Sequence, residues 1–390
     1  MLLVLSTLYG AYGGIPAFNR LLVQAAADFC LRLRQPLVVL ALTDASADVP
    51  AVRSVEGASR AAMQPGVHPS APPRGPVGDL PAGVTYRAFA GDRRALLAAY
   101  LQQVGRPLPL IVGHVNLAPL GLIWPGPVGV LAHGSEVYAR LPALRRWALL
   151  RATRIAAVSD HTRRCLIDVQ GVPAARCVRV VNALPRLPIV PPPSDATTGL
   201  RLLCISRLHP DEPKGVDVLL RALARLPESA ASLTVIGDGA ARPALQALAQ
   251  DLGLADSRVR FLGPVPDSVR DAELSACDVF VLPSESEGFG IVYLEALARG
   301  KPCIAAQAGG APEIVVPEQT GLVIPVPAAA HVADLSAAIV RLSDPGLRAR
   351  LGAAGRRRVV QDHSATAFAQ RAQAFFAALR GRAPVAGPEI

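Results

Sequence analysis

The sequence predicts an α/β protein built from two doubly wound parallel sheets. Short apolar runs rich in Val, Leu and Ile alternate with segments of helical spacing, which is typical of a parallel sheet covered by helices. The alternation stops at a Pro-rich stretch and then starts again, and a chain of 390 residues, 51% of them hydrophobic, is long enough to fill two cores. We therefore expect two domains that face each other across a cleft.

Seven strand candidates lie in the first half of the chain, with segments of helical spacing between most of them. Apolar, β-branched runs of this length predict strands that are buried on both faces of a sheet. The clearest helical patterns are Ala17 to Leu33 and Arg93 to Gln103. The strand candidates are Leu2 to Ser6, Pro36 to Thr43, Val84 to Phe89, Leu110 to Gly113, Val128 to His133, Arg154 to Ser159 and Val178 to Val181.

Residues 107–134 form an apolar stretch without any Asp, Glu, Lys or Arg. A transmembrane helix needs about 20 apolar residues in helical form. The five prolines of this stretch, together with His114 and Asn116, argue against such a helix, so we expect two buried strands joined by a loop. The opening MLLVLSTLYG lacks the basic segment of a signal peptide and predicts a buried first strand.

Two stretches rich in Pro interrupt the alternation. Residues 44–83 predict a long loop. Residues 186–199 form the predicted linker between an N-terminal domain, residues 1–185, and a C-terminal domain, residues 200–363. A C-terminal helix, residues 364–385, is expected to pack back onto the first domain. The strand candidates after the linker are the segments LRLLCIS, SLTVIG, VRFLG, DVFVLPS, PCIAA and LVIPV.

The net charge of +10 favours anionic partners, such as phosphate-bearing substrates or an acidic membrane surface. We do not expect a nucleic-acid partner, because the chain has no zinc-finger spacing, no aromatic ribonucleoprotein motif and no basic tail. The six cysteines are scattered singly, which is typical of reduced thiols in a cytosolic protein. Of the 40 basic residues only Lys214 and Lys301 are lysine, which indicates either a need for a compact ammonium group or chance.

Two glutamates, Glu287 and Glu295, lie eight positions apart in the segment SESEGFGIVYLEA. The apolar run before this segment and the helical spacing within it predict a strand, a loop and a helix. Ligands of an open parallel sheet bind beyond the carboxyl ends of its strands, and free N–H groups at the start of a helix favour an anion. A continuous helix would separate the two carboxylates by about 12 Å along its axis. We therefore expect separate roles along one extended ligand, not a glycosidase pair, with Gly288 and Gly290 allowing close approach of the backbone.

Six segments recur in a familiar order: GGIPAFNRLL (13–22), HGSE (133–136), SRLHPDEPKGVDVLL (206–220), VIGDG (235–239), FLGPV (261–265) and EGFGIVYLEALARGKPCIAAQAGGAPEIV (287–315). Together they resemble the family-4 retaining glycosyltransferases, over almost the whole chain and most specifically in its C-terminal half. The resemblance implies the GT-B fold, with two Rossmann-like domains facing across a cleft. It also implies transfer of a sugar from a nucleoside-diphosphate sugar, with retention at the anomeric carbon and without a metal or other cofactor. The chain contains no D-x-D motif, which agrees with the metal-free class.

The resemblance assigns the two glutamates to the two ends of the sugar donor. Glu295 matches the residue that binds the nucleotide ribose, and Glu287 matches the residue that holds the sugar hydroxyls. Further donor contacts are implied for a set of neighbouring residues: Leu262, Gly288, Phe289, Gly290 and Ile291.

Arg207 and Lys214 match the cationic pair that binds the donor diphosphate in this family. Cleavage of the bond between sugar and phosphate leaves negative charge on the departing nucleotide, and positioned cations stabilise that charge. The alternative is that both are solvated loop charges. The intervening Asp211 and Glu212 would offset part of the positive field.

His133 lies at the carboxyl end of a predicted strand and matches the histidine that this family places near the reacting sugar. We expect it to donate a hydrogen bond to a sugar hydroxyl or to the transition state, not to act as a general base; a buried core histidine is the alternative. Gly13 and Gly14 match a loop whose N–H groups reach the donor phosphates, although an ordinary turn would also contain them. The candidates for acceptor contact are His114, Asn116 and Glu136. The alternatives are core packing for His114 and Asn116 and a solvated loop charge for Glu136.

Residues 143–154, ALRRWALLRATR, place four arginines beside Trp147 and several leucines. A basic amphipathic helix of this kind can lie on anionic lipid, which suits an acceptor built on a lipid carrier. A solvated helix face is the alternative. We predict a cytoplasmic protein, with contact to the inner face of the membrane as an additional hypothesis.

The first hypothesis for function is a retaining glycosyltransferase of the hexosyltransferase type. It would move a sugar from a UDP- or GDP-sugar to a saccharide or lipid-linked saccharide, in the synthesis of cell-surface polysaccharide or glycolipid. Two alternatives keep the fold, namely an isomerase of the UDP-sugar 2-epimerase kind and a non-catalytic subunit that binds sugar nucleotides. A nicotinamide-dependent dehydrogenase is disfavoured, because no G-x-G-x-x-G follows the first strand of either domain.

Overall fold

The structure is a computed structural model that describes residues 1–9, 13–45, 80–106, 108–189, 199–212 and 214–381. In this part the chain forms two parallel sheets, each accompanied by helices. We call the first sheet with its helices the N-terminal half and the second the C-terminal half. Most of the predicted loop at 44–83 and residues 190–198 of the predicted linker lie outside the described residues, so that the domain boundary stays a prediction.

The described part of the N-terminal half contains seven strands and four α-helices. The strands are β1 (Leu2–Leu5), β2 (Leu37–Ala41), β3 (Val84–Ala88), β4 (Leu110–Val112), β5 (Val128–Ala132), β6 (Arg154–Ala157) and β7 (Cys177–Arg179). The helices are α1 (Gly14–Arg32), α2 (Arg93–Leu101), α3 (Ala143–Arg151) and α4 (Asp160–Asp168). Short 3₁₀ segments lie at Val115–Ile123, Ser135–Val137 and Ala174–Arg176. Each strand overlaps a predicted one. Most are continuous apolar runs, as in buried parallel strands, whereas β3 has the sequence VTYRA and is only partly buried.

The described part of the C-terminal half contains six strands and eight helices, counting the last helix of the chain. The strands are β8 (Leu200–Ile205), β9 (Ala231–Ile236), β10 (Val259–Gly263), β11 (Val279–Leu282), β12 (Cys303–Ala306) and β13 (Gly321–Ile324). The helices are α5 (Val216–Ala224), α6 (Arg242–Asp251), α7 (Asp267–Ala276), α8 (Ile291–Ala298), α9 (Ala311–Ile314), α10 (Val332–Arg341), α11 (Pro345–Asp362) and α12 (Ala365–Leu379). Two 3₁₀ segments lie at Glu228–Ala230 and Ala328–His331.

In each sheet the chain first adds strands toward one edge and then, at one point that we call the reversal, returns to add strands toward the other edge. The first has the order β3-β2-β1-β4-β5-β6-β7 and the second the order β10-β9-β8-β11-β12-β13. The reversals fall between β1 and β4 and between β8 and β11. In a doubly wound sheet the crevice at this point, beyond the carboxyl ends of the strands, is where ligands bind.

Alternate residues of the first sheet face two different cores. Leu3 of β1 points into the core that contains α1 and α12, and Leu2 points into the core that contains α2, α3 and α4. Helix α12 therefore packs on the N-terminal half, where the ring of Phe368 lies 5.1 Å from the ring of Phe18. Both faces of the sheet are covered, as a parallel sheet requires.

Two features differ from the sequence-based expectations. The connection between β4 and β5 is not a simple loop, because Val115–Ile123 forms a 3₁₀ helix whose cap is the His114 side chain. Helix α1 begins at Gly14, ahead of the predicted start at Ala17, with Pro16 in its first turn. A proline is tolerated there, since the first N–H groups of a helix have no intrahelical partner. None of the helices in the described ranges is long and apolar enough to cross a membrane.

Candidate functional site

Four of the predicted site residues follow the carboxyl ends of strands, at or one strand away from the two reversals. In the N-terminal half, Gly13 follows β1, and His133 follows β5. In the C-terminal half, Lys214 follows β8, and Glu287 follows β11. The fold therefore brings residues from distant parts of the sequence to facing edges of two sheets.

The loops after β5 and β11 touch through two glycines. A Cβ atom on Gly134 would collide with Gly288, and a Cβ atom on Gly288 would collide with the carbonyl oxygen of His133. Backbone approach this close requires glycine on both sides. The hydroxyl of Tyr138 also donates a hydrogen bond across the cleft, to the carbonyl oxygen of Glu287 at 3.0 Å. The two halves thus meet at the predicted donor site.

Lys214 and Glu287 form the charged centre of this site. The Lys214 Nζ lies 3.5 Å from Oε2 of Glu287 and donates a hydrogen bond to the Ser286 carbonyl oxygen at 2.7 Å. Their side chains are only 10% and 19% exposed. Burial raises the pKa of the Glu287 carboxyl, and the ammonium of Lys214 opposes part of that rise. The pair offers a carboxylate for hydroxyl groups and a cation for phosphate within one small volume.

Arg207, the other predicted cation, lies at the solvent edge of the site. Its side chain is 79% exposed and forms an ion pair with Glu212 at 3.2 Å. The predicted offset by acidic neighbours therefore comes from Glu212, whereas Asp211 lies 3.7 Å from His209. The structure brings Lys214 into the site but directs the Arg207 side chain toward Glu212.

The segment from Gly288 to Ile291 presents backbone to the cleft. Gly290 has a φ of 91°, in the region that favours glycine, and begins α8 without a side-chain cap. Phe289 is only 3% exposed and its ring lies 5.8 Å from that of His363, so that its backbone alone is available. An uncapped helix start of this kind favours an anionic ligand such as a diphosphate.

Gly14, the first residue of α1, faces the start of α8. A Cβ atom on Gly14 would lie 3.8 Å from Cγ2 of Ile291. Gly13 has a φ of 123°, and no side chain caps α1. Two uncapped helix starts, one from each half, therefore point into the same part of the cleft.

Glu295 lies in the second turn of α8, and only 17% of its side chain is exposed. Its Oε1 is 3.7 Å from the guanidinium of Arg270, and its Oε2 has no hydrogen-bond partner among the described residues. Burial raises the pKa of Glu295, and Arg270 and then Arg299 oppose that rise. A buried acceptor without a partner is costly in a native structure. A hydroxyl group of a ligand, such as that of a ribose, would satisfy it.

Asp267 and Arg270 lie beside Glu295 and were not singled out by the sequence. Both belong to α7, which follows the strand that contains Leu262. Arg270 lies 3.3 Å from the carboxylate of Asp267 and so links it to Glu295. No motif marks these two residues, since acidic and basic residues are frequent at helix starts, but their position extends the site beyond Glu295.

The ring of His133 is held in one orientation. Its Nε2 lies 2.9 Å from the carbonyl oxygen of Gly113 and must carry the proton to donate to it. Burial lowers the pKa of His133, so that the ring is neutral and only Nδ1 remains, as an acceptor. This differs from the expectation that the side chain donates to a sugar hydroxyl.

His114 stacks on His133 and is the better donor of the two. Their ring centres are 5.9 Å apart. His114 Nδ1 accepts the N–H of Asn116 at 3.1 Å, which leaves the proton on Nε2 when the ring is neutral, and burial lowers its pKa. The carboxylate of Glu136 accepts the backbone N–H of His133. The three acceptor candidates thus lie together around His133.

Asp44 is a supporting residue that the sequence did not reveal. It follows β2, is fully buried, and its carboxylate accepts hydrogen bonds from the backbone of Leu8 and Tyr9 and from the hydroxyls of Thr7 and Tyr86. These bonds fix the chain that leaves β1 toward Gly13. A single Asp in a polar segment carries no signal for this role.

Residues 193–358 match the family model for glycosyl transferases group 1. The chain is 34% identical to the GDP-mannose-dependent alpha-(1-6)-phosphatidylinositol monomannoside mannosyltransferase of Mycolicibacterium smegmatis, over 61% of this chain and 69% of that protein. It is 36% identical to the D-inositol 3-phosphate glycosyltransferase of Xylanimonas cellulosilytica, over 55% of this chain and 57% of that protein.

Two solved structures have the same fold. Sucrose-phosphate synthase from Thermosynechococcus elongatus superposes with a TM-score of 0.71 at 22% sequence identity. The superposition covers 97% of this chain and 99% of the synthase chain. Anabaena HepE in complex with UDP-glucose superposes with a TM-score of 0.70 at 20% sequence identity. The superposition covers 96% of this chain and 99% of the HepE chain. The chain therefore belongs to the glycosyl transferases group 1 family and is a nucleotide-sugar-dependent glycosyltransferase with the GT-B fold.

Proposed function

We propose that this glycosyltransferase moves a hexosyl group from a GDP-sugar, GDP-mannose being the first candidate, to an inositol-containing glycolipid at the membrane surface. The observation that carries the donor half of this proposal is the arrangement around Glu287. A carboxylate and an ammonium group lie 3.5 Å apart, beside the uncapped start of α8, and a second carboxylate with a free oxygen follows at Glu295. This order matches the sugar, the diphosphate and the ribose of one extended ligand.

Each group has a distinct task in the proposed reaction. Glu287 accepts hydroxyls of the donor sugar, while Lys214 and the backbone N–H groups at the start of α8 bind the diphosphate. Cleavage of the bond from C1 to the phosphate oxygen adds negative charge to the leaving nucleotide, which Lys214 stabilises in a poorly solvated site. The leaving phosphate takes the proton of the acceptor hydroxyl, so that no side-chain base is required. Burial lowers the pKa of His133, which makes its free Nδ1 a weak base and agrees with this route.

Asp267 supports guanine as the base of the donor. Its carboxylate lies at the start of α7, linked by Arg270 to the predicted ribose ligand Glu295. Guanine offers two adjacent N–H donors, N1–H and the 2-amino group, whereas uracil offers one, and a carboxylate is an acceptor only. Sites built to pair such donors discriminate strongly against ligands that lack them. The mycobacterial relative, whose name specifies GDP-mannose, agrees with this choice.

The donor is tested with a thermal-shift series of GDP, UDP and ADP, because a ligand that binds only the folded state raises its stability. We expect the largest shift with GDP, loss of the shift with all three nucleotides in Glu295→Ala, and loss of the preference for GDP in Asp267→Asn. Glu318→Ala is the matched control, since Glu318 is an exposed carboxylate paired with Arg341 at 2.9 Å. A larger shift with UDP would contradict the guanine assignment, and no shift with any nucleotide would contradict the donor site itself.

The lipid half of the proposal is supported by a surface patch on the N-terminal half. We define the arginine patch as Ile123, Leu144, Arg145, Trp147 and Arg151. Its three apolar residues are largely exposed: Ile123 is 54% exposed, Leu144 is 58% exposed and Trp147 is 52% exposed. They belong to α3 and to the neighbouring 3₁₀ helix, which pack against each other.

Charge and location favour anionic lipid as the partner of the arginine patch. From residue 107 to residue 159 the sequence contains one acidic residue, Glu136. The guanidinium of Arg151 lies 5.9 Å from the ring centre of Trp147, a combination that suits the interface between headgroups and acyl chains. The 3₁₀ helix that contains Ile123 is capped at its other end by His114. Arg145 of the patch is close enough to act on the pKa of the His114 ring, after burial and Glu136, so that this end of the patch adjoins the proposed acceptor side of the cleft.

We expect Trp147→Ala to weaken binding to vesicles with phosphatidylglycerol by roughly tenfold, since it removes most of one aromatic anchor. Flotation with pure phosphatidylcholine vesicles should show weaker binding, and salt should reduce binding to the anionic vesicles. Leu31→Ala is the control, because Leu31 is 74% exposed on α1, which covers the opposite face of the sheet. Equal binding of all three proteins would contradict the role of the arginine patch.

A further inference from the structure

A carboxylate of the C-terminal half caps a helix of the N-terminal half. Glu313, in α9, accepts the backbone N–H of Asp160 on Oε2 at 2.8 Å and that of His161 on Oε1 at 2.7 Å. These two residues begin α4, whose N-terminus attracts negative charge. Hydrogen bonds to an ionised acceptor are roughly twice as strong as neutral ones. Glu313 therefore joins the two halves by a pair of charge-assisted bonds.

Helix α4 has its own cap in addition to Glu313. The hydroxyl of Ser159 accepts the N–H of Thr162 at 3.0 Å. The side chain of Asp160 does not fold back onto the helix but forms an ion pair with Arg179 at 2.6 Å. The N–H groups of Asp160 and His161 are thus left for the carboxylate from the other half.

Glu313 is also tied to the loop that carries the donor-binding carboxylate. The N–H of Gly310 donates to the carbonyl oxygen of Glu287 at 2.8 Å, and Gly309 packs so closely on the same residue that a Cβ atom would collide with it. On its other side, Arg358 donates to the carbonyl oxygen of Glu313 at 2.9 Å. The position of Glu313 is therefore coupled to that of Glu287.

A second bond between the halves lies next to this pair. The hydroxyl of Tyr138 donates to the carbonyl oxygen of Glu287, and the ring of Tyr138 lies edge-on to the ring of His161 with their centres 4.8 Å apart. The cap on α4 and the contact on the donor loop thus share neighbouring side chains, and both would be broken if the halves moved apart.

We propose that Glu313 is a positioning residue that latches the two halves in the closed form. Both of its carboxylate oxygens accept N–H groups of α4, and these bonds hold the loop of Glu287 against the loop of His133. Closing of two domains around a substrate completes a site of this type and excludes water from it. The latch is independent of which sugar or base the donor carries.

The chain offers a substitution that removes one latch bond without removing a side chain of the C-terminal half. Asp160→Pro deletes one of the two N–H donors at the first position of α4, where proline is well tolerated. Ser159 precedes it with a φ of −149° and a ψ of 163°, an extended conformation that suits a residue before proline. Asp160→Ala is the matched control, because it loses the same ion pair with Arg179 but keeps the N–H.

Three measurements on the full-length protein test the latch: small-angle scattering in saturating nucleoside diphosphate, nucleotide affinity by calorimetry, and turnover. We expect Glu313→Ala and Asp160→Pro to increase the radius of gyration and to lower turnover on the order of 10- to 100-fold, because Glu313→Ala loses both charge-assisted bonds of the closed form and Asp160→Pro loses one of them. Nucleotide affinity should stay unchanged, since the groups at Glu287 and Glu295 remain. Asp160→Ala should behave as the wild type in all three.

Two results would overturn the latch. If Asp160→Pro and Asp160→Ala have the same radius of gyration and the same turnover, the bond from this N–H does not contribute to closing. If nucleotide affinity falls together with turnover in Glu313→Ala, Glu313 acts by shaping the donor loop and not by joining the halves. Because nucleotide binding is measured separately, failure of the donor assignment is distinguishable from failure of the latch.

Discussion

We expect Lys214→Met to lower turnover by about 100- to 1,000-fold, the range seen when one group that stabilises charge in a transition state is removed. Methionine keeps most of the length of the side chain and removes the ammonium group. In the structure this group is 3.5 Å from Glu287, is only 10% exposed and donates to the Ser286 carbonyl. The exposed Arg207 side chain, paired with Glu212, does not replace it in this position.

The same substitution should change the pH dependence in a defined direction. Burial raises the pKa of Glu287 and Lys214 opposes that rise. Without the ammonium group the pKa of Glu287 rises further, so that the carboxylate becomes ionised only at higher pH. The acid limb of the profile of kcat/KM against pH should therefore shift to higher pH.

Lys301→Met is the natural control for Lys214→Met, because Lys301 is the other lysine of the chain and follows α8 outside the site. Wild-type turnover in Lys301→Met and a strong loss in Lys214→Met would support the assignment. Wild-type turnover and an unshifted pH profile in Lys214→Met would contradict it, and would place charge stabilisation on the backbone N–H groups and Arg207.

The strands of both sheets could be predicted because parallel strands are buried on both faces. A segment such as Val279–Leu282 is apolar without interruption and ends where the loop to the site begins. The parallel direction of the strands also predicted which strand ends meet at the cleft, since the carboxyl ends of parallel strands share one edge of the sheet. Glu287 and Lys214 come together for this reason, although 72 positions separate Lys214 from Ser286.

The contacts between the two halves could not be predicted in this way. The bond from Tyr138 to Glu287 joins residues 149 positions apart, and those to Glu313 join residues 153 and 152 positions apart. They depend on how the two sheets are oriented relative to each other, which leaves no periodic pattern in the sequence. Arg207 pairs with Glu212 and not with the adjacent Asp211, which lies near His209, and this is a choice between two local carboxylates. Residue type and spacing do not decide such a choice.

Gly288→Ala should abolish most of the activity, with a fall of about 100-fold or more, because a misplacement near 1 Å in a reacting site costs this much. The added Cβ atom would collide with the carbonyl oxygen of His133 and would lie 3.0 Å from Cα of Gly134. Both neighbours are backbone atoms of the other half and cannot turn aside as a side chain can. The halves would have to separate, which pulls Glu287 away from His133 and His114.

The nucleotide site should survive this substitution, which makes the prediction specific. Gly288 is not among the glycines with positive φ, so that alanine adopts its backbone conformation without strain, unlike at Gly134 with a φ of 136°. We therefore expect the thermal shift with GDP to remain close to that of the wild type while transfer is lost. Gly346→Ala is the control, since a Cβ atom there meets only the carboxylate of Asp344, at 3.3 Å.

Transfer at the wild-type rate in Gly288→Ala would mean that the contact between the loops of His133 and Glu287 is dispensable for chemistry. Loss of both transfer and nucleotide binding would instead place the damage within the donor loop. Only loss of transfer with retained binding identifies the contact between the halves as the feature that completes the active site. It would also separate this contact from Lys214, whose replacement by methionine removes a charge but introduces no such clash across the cleft.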